Sequence, residues 1–187
     1  MIRCYHRILD LKNHHLDVQI LDILTNAVLN NINDSDGNFT QKLLPKVLEL
    51  FGRITSFIHN NSDVWRMYGQ LTALKKTDID NEKAVQYLQQ AHRIALSDPK
   101  WLLHEESVEK ILQLCCILAG TYLQYASNCE LKKKRTLLAS AKLSLQGVIK
   151  KVKDKEWNSE KIHVSTGKVE KYLNIVVAEL EQIKMTN

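Results

Sequence analysis

Residues 62–99 read SDVWRMYGQLTALKKTDIDNEKAVQYLQQAHRIALSDP, and this stretch decides the fold. Trp65 and Gly69 stand four apart, so on a helix they share one face, and the missing side chain at Gly69 lets a second helix approach closely. That second helix follows in AVQYLQQA, where Ala84, Leu88 and Ala91 form the return face. Pro99 closes the unit, because proline does not continue a helix. The spacing predicts two antiparallel helices packed through small residues. A bulky side chain at Gly69 would push the second helix away.

An aromatic and a small residue on the first helix, answered by Ala84, Leu88 and Ala91, form a degenerate tetratricopeptide repeat pattern. The connecting LKKTDIDN reads as a loop a few residues longer than the standard unit of about 34 residues. Asp63 and Ser62 are candidate caps for the first helix, and Asp80 or Asn81 for the second. An ordinary helical hairpin with Trp65 in its core fits the same pattern. Under both readings these residues pack rather than react.

Helical periodicity recurs along the whole chain, while two prolines and six glycines among 187 residues leave few breakers for a β-rich design. The expected architecture is all-α, a tetratricopeptide-like α-solenoid of helix hairpins with a C-terminal capping helix, in one domain over 1–187. Its parts are a truncated repeat end at 1–11, a hairpin at 17–60, the repeat at 62–99, a hairpin at 102–153 and the cap at 160–185. Residues 1–11 match only the second half of a repeat. Tyr5, Ile8 and Leu9 would therefore lack a preceding partner, and that end should open first.

Within the 17–60 hairpin, Val18, Leu21, Leu24, Val28 and Leu29 mark one helix. Val47, Leu50, Phe51, Ile54, Phe57 and Ile58 mark the next, bracketed by Thr40 and Asn60, with Pro45 tolerable only in its first turn or at a kink. Later come an apolar helix around 104–126 and another through Leu138, Ala141, Leu145, Val148, Ile149 and Val152. The last helix should bury Val169, Tyr172, Leu173, Val176, Val177, Leu180 and Ile183. Lys168, Glu170, Lys171, Glu179 and Lys184 should face outward as the polar side of a cap.

CYHRILDL (4–11), VLELFGRITSFI (47–58), SDVWRMYGQL (62–71), DNEKAVQYLQQAHRIA (80–95) and AKLSLQGVIKKVKD (141–154) together resemble the C-terminal part of the tetratricopeptide repeat protein 27 family. The resemblance is clearest through residues 5–95. It implies a fragment of a longer protein, an interaction scaffold without a catalytic centre, and a place in the cytoplasm and the nucleus. It also implies other proteins as partners, among them chaperone or splicing-assembly components, and a role as an assembly or chaperone-linked adaptor. Related repeat proteins hold an acidic chaperone tail with lysine and asparagine on successive first helices. Arg66 and Gln70 take the nearest positions here, and a clamp of that kind is not expected.

Net charge is +5, and it is uneven: residues 132–187 hold 13 Lys/Arg against 6 Asp/Glu, whereas residues 1–131 hold 13 against 15. Lys132, Lys133, Lys134 and Arg135 at one end of a helix, and Lys150, Lys151, Lys153 and Lys155 at the other, are candidate contacts for an acidic partner. They also raise an alternative, a basic module binding RNA through the C-terminal third with Trp157 nearby. Short charge runs are usually solvated, so protein partners rank first and nucleic acid second. No apolar run approaches the roughly 18 residues of a membrane span. Nothing implies a cofactor, a metal or a catalytic residue: no HExxH spacing occurs, and Glu105 and Glu106 after His104 suit a helix N-terminus. Cys4, Cys115, Cys116 and Cys129 read as buried or incidental thiols.

Overall fold

Gly69 packs directly against Leu88, the closest approach at any glycine among the described residues. In a computed structural model of the chain, which describes residues 18–31 and 38–185, a Cβ built on Gly69 would stand 2.6 Å from Leu88 Cγ, 2.9 Å from Leu88 Cδ2 and 3.2 Å from the Ala84 carbonyl oxygen. No real Cβ contact is that short, so only glycine allows this approach. Gly69, Ala84, Leu88 and Ala91 are all buried, Trp65 is half-buried, and Pro99 is exposed just beyond the helix end.

Seven α-helices occur among the described residues: α1 (Val18–Asn30), α2 (Asn38–Ile54), α3 (Ser62–Ala73), α4 (Asp78–Ser97), α5 (Glu105–Ser127), α6 (Leu131–Lys153) and α7 (Glu160–Met185). A short 3₁₀ turn at Trp101–Leu103 precedes α5. No strand is found among the described residues, and the all-α, tetratricopeptide-like architecture is borne out. Each helix packs on the next, and α1 touches α3, α3 touches α5 and α5 touches α7. The odd-numbered helices thus form one row and the even-numbered ones back it. Residues 1–11, with the expectations for Tyr5, Ile8, Leu9 and Cys4, lie outside the described residues.

Three apolar clusters follow this order. The first joins α1, α2 and α3 through Leu21, Leu24, Val28, Val47, Phe51, Ile54, Met67 and Leu71. The second joins α4 to α7 through Leu88, Ala91, Leu118, Tyr122, Tyr125, Leu138 and Val176, and the third gathers Trp101, Leu112, Cys115, Val148, Ile162 and Val169. Helix α5 feeds both of the latter, so its apolar residues are buried on nearly every side. Burying one such leucine or isoleucine favours folding by about 1.5–3 kcal/mol.

An aromatic stack that periodicity did not single out ties α2, α3 and α4 together. Phe51 stacks on Tyr68 at 5.7 Å between centroids, Tyr68 on Tyr87 at 4.2 Å, and Trp65 tilts against Tyr87 at 5.6 Å. The Trp65 Nε1 donates to the His59 carbonyl at 2.9 Å. Burial drives the Tyr68 hydroxyl far above its ordinary titration range, and its hydrogen bond with Tyr87 adds to this.

Several local expectations are corrected. The α3 cap is Asn61, whose Oδ1 accepts from the Asp63 and Val64 N–H groups, and Ser62 instead donates to the Ala91 carbonyl at 3.0 Å. Thr77, not Asp80 or Asn81, caps α4 by accepting from the Asp80 N–H. The sequence DIDN is therefore the first turn of α4, and the connection shrinks to residues 74–77, with Lys76 in the left-handed region at φ 57°. The extra length of the repeat is helix rather than loop. Helix α2 starts before Thr40, so Pro45 lies inside it and not in its first turn. Phe57 lies beyond its end and is 71% exposed. On α7, Glu170 and Glu179 turn back to pair with Lys153 and Lys134 of α6 instead of facing outward.

Two substitutions test the close approach. Gly69→Ala should cost on the order of 1–3 kcal/mol by overpacking against Leu88, whereas Gly147→Ala, with nothing within 4 Å of its new Cβ, should stabilise by about 0.5–1 kcal/mol through helix propensity. Urea denaturation reads both, and opposite signs are the expected result. His92 on α4 offers a second test: it is buried, its Nε2 has no hydrogen-bond partner among the described residues, and burial pushes its imidazole below the ordinary value. The unfolded chain binds that proton more readily, so this contribution to stability is present above about pH 6.5 and is lost as pH falls through the folded value. His92→Leu should raise the thermal midpoint more at about pH 5 than at about pH 8. An equal shift at both would refute the burial of a neutral imidazole.

Candidate protein-interaction groove

Between the start of α3, the end of α4 and the body of α5 lies a cavity of about 480 Å³, with Ile94, Ala95, Trp101, Ile111, Leu114 and Ile117 as its apolar lining. Asp63, Arg66, Lys110 and Gln113 supply its polar groups. A second hollow of about 430 Å³ between α1 and α3 is lined by Val18, Asp22, Ile23 and Met67, and it shares Asp63, Arg66 and Lys110 with the first. The two adjoin through these shared residues to form one groove bordered by α1, α3, α4 and α5. Mostly apolar concavities with a few placed polar groups are the usual form of a binding site.

Its cations are neutralised from within. Arg66 reaches Asp63 at 3.4 Å and Asp22 at 3.8 Å, and its guanidinium donates to Gln70 Oε1 at 2.9 Å. Arg66 and Gln70 thus engage each other, which leaves no free cation for a clamped carboxylate. Lys110 donates to Glu106 at 2.8 Å, one turn back on α5. That bond is the main reason the Glu106 carboxyl lies below its ordinary value and the Lys110 ammonium above it.

The eight basic residues singled out in the C-terminal third do not converge. Lys132 and Lys150 are 18 residues apart on α6, or about 27 Å along its axis. Lys133 donates to Glu82 Oε2 at 3.0 Å and lies over the Tyr125 ring at 4.8 Å, while the Tyr125 hydroxyl donates to the same oxygen at 2.7 Å. Both bonds, Tyr125 first, hold the Glu82 carboxyl below the usual range. Lys134 pairs with Glu179 at 2.5 Å, Lys153 pairs with Glu170, and Lys155 donates to the Leu102 carbonyl at 2.6 Å while lying over the Trp157 ring. Lys132, Arg135, Lys150 and Lys151 stay exposed and unpaired among the described residues.

No group of three or more potential metal-ligating side chains assembles among the described residues, and none of their helices is long and apolar enough to cross a membrane. Buried Asn81 accepts from Gln124 at 3.3 Å, but its amide nitrogen has no partner among these residues. Neither feature was visible in the periodicity.

The chain is similar to a Dictyostelium discoideum protein described as tetratricopeptide repeat protein 27 homolog, at 28% identity over 180 residues. That match covers 96% of this chain and 20% of the relative, so the chain spans about a fifth of that protein's length. No protein-family model and no solved structure matches. The resemblance drawn from the sequence is borne out, and it supports a protein-interaction scaffold in general terms.

The thiols give a test of how the groove helix α5 is packed. Burial pushes the Cys115 thiol up to about 12, whereas Cys116 and Cys129 are half-buried and raised to a lesser degree. In the native protein iodoacetamide should therefore modify Cys129 and Cys116 well before Cys115. Peptide mapping that found Cys115 labelled first would mean that α5 is not the buried core helix described above.

Proposed function

We propose that this chain is a non-catalytic protein-interaction scaffold that holds a segment of another protein in the groove along α1, α3 and α5. The observation that carries this reading is the adjoining pair of hollows of about 480 and 430 Å³, with Ile94, Ala95, Ile117, Val18 and Ile23 as the partly exposed apolar residues on their lining. A row of rigid helices offers such a surface without the entropy cost of ordering loops. The likeness to a tetratricopeptide repeat protein points the same way. Within this reading the chain serves as an assembly or chaperone-linked adaptor in the cytoplasm and nucleus, with chaperone or splicing-assembly components as partners. RNA binding through the C-terminal third is the weaker alternative, since Lys133, Lys134, Lys153 and Lys155 are committed to internal contacts.

A photo-crosslinking residue placed at Gln113, on the lining of the groove, should form adducts with proteins in a cell extract. The same residue at Gln86, exposed on α4 and outside that lining, should form far fewer. Equal yields at the two positions, or adducts at Gln113 with RNA alone, would overturn the assignment.

A further inference from the structure

Helix α5, which lines the groove, also packs against α7. A Cβ on Gly120 of α5 would meet the Tyr172 hydroxyl of α7 at 3.8 Å, and the charge of Lys168, one turn before Tyr172, acts on the thiol of Cys116, one turn before Gly120. Cys116 and Gly120 of α5 therefore face Lys168 and Tyr172 of α7. Seven residues before Lys168 stands Lys161, on the same side of the helix. Val164 is 53% exposed and Ile175 is 48% exposed, both close to that side. Lys161, Val164, Lys168 and Ile175 make a stripe about 21 Å long, some four helical turns.

This stripe differs electrostatically from the groove. Arg66 has Asp63 three residues back and Lys110 has Glu106 four residues back, so those cations are already satisfied. Lys161 and Lys168 have no acidic residue three or four positions away in either direction, and neither has an ionic partner among the described residues. The acids that α7 does carry toward its neighbour, Glu170 and Glu179, are taken by Lys153 and Lys134. Two uncompensated cations flanking exposed apolar side chains are complementary to acid and apolar residues in the same helical spacing.

We propose that the exposed face of α7 where it packs on α5 docks an acidic amphipathic helical segment of a partner protein, with Lys161 and Lys168 taking its carboxylates and Val164 and Ile175 its apolar face. This rests on the groove reading above and adds to it the chemistry of the partner. It also moves the acidic contact away from the α6 termini, where half of the basic residues are occupied.

The test uses the whole chain and a fluorescein-labelled peptide of Glu and Leu in helical register, compared with the same peptide carrying Lys for Glu and with single-stranded oligouridylate. The acidic peptide should bind, more weakly as salt rises. Its affinity should fall about tenfold or more in Lys161→Glu/Lys168→Glu and stay unchanged in Lys132→Glu/Arg135→Glu, with both variants retaining the parent thermal midpoint. Bound peptide should slow alkylation of Cys116 and leave that of Cys129 unchanged. Failure of the acidic peptide to bind, equal losses in the two variants, or RNA binding with the same lysine dependence would each overturn the proposal. If the peptide fails while the Gln113 adducts persist, the groove stands and its acidic partner does not; if both fail, both readings fall.

Discussion

The absence of one side chain, at Gly69, sets the spacing on which the other contacts depend. With Leu88 seated where a Cβ would be, α3 and α4 lie close enough for the Tyr68 and Tyr87 rings to stack at 4.2 Å and for Ser62 to reach the Ala91 carbonyl. Helix α4 then delivers Val85, Leu88 and Ala91 to the cluster shared with α5, α6 and α7. Helix α3, on its other side, gives Val64, Met67 and Leu71 to the cluster of α1 and α2. The crossing is thus the joint between two cores. A wider one would separate the aromatic rings and loosen both clusters at once, which is why a small volume change there matters more than a comparable change on an exposed helix face.

The C-terminal helices are held in a different way. Helix α6 carries much of the excess positive charge, and three of its lysines are answered by acids from other helices: Lys133 by Glu82 of α4, Lys134 by Glu179 and Lys153 by Glu170 of α7. Exposed pairs of this kind contribute little to stability singly. Their effect is on register, because they fix α6 against α4 at one end and against α7 near both ends while the apolar contacts between supply the driving force. Part of the C-terminal positive charge is therefore internal bracing, and Lys133, Lys134 and Lys153 are not free for a ligand.

Helix existence and type could be read from the sequence because a 3.6-residue apolar period is a local property, strongest in α2 and α3. Trp65, Gly69, Ala84, Leu88 and Ala91 carry enough spacing information to give the hairpin as well. Caps were misplaced by one to four residues because Asn60-Asn61-Ser62-Asp63 and Thr77-Asp78-Ile79-Asp80-Asn81 each contain several side chains able to cap. Which one does so depends on where the chain turns, not on residue type. The Phe51–Tyr68–Tyr87 stack and the partners of Lys133, Lys134 and Lys153 were missed for a deeper reason. They join residues 17 to 51 positions apart, and no periodicity encodes which faces of successive helices meet.

That distinction between local and long-range pairing also governs the groove. On α3 and α5 each cation has an acid within one turn of the same helix, so its neutralisation is written locally and does not depend on packing. On α7 Glu170 and Glu179 are drawn to Lys153 and Lys134 of α6, which leaves Lys161 and Lys168 without an ionic partner among the described residues. The same sequence that reads as a balanced amphipathic cap is therefore unbalanced once folded. The imbalance faces the side on which Cys116 and Gly120 of α5 meet Lys168 and Tyr172. A surface of that kind is created by the fold rather than carried by a motif: in the sequence Lys168 reads as part of the polar side of a cap, and only the packing of α6 on α7 takes up Glu170 and Glu179 and leaves Lys161 and Lys168 without an ionic partner among the described residues.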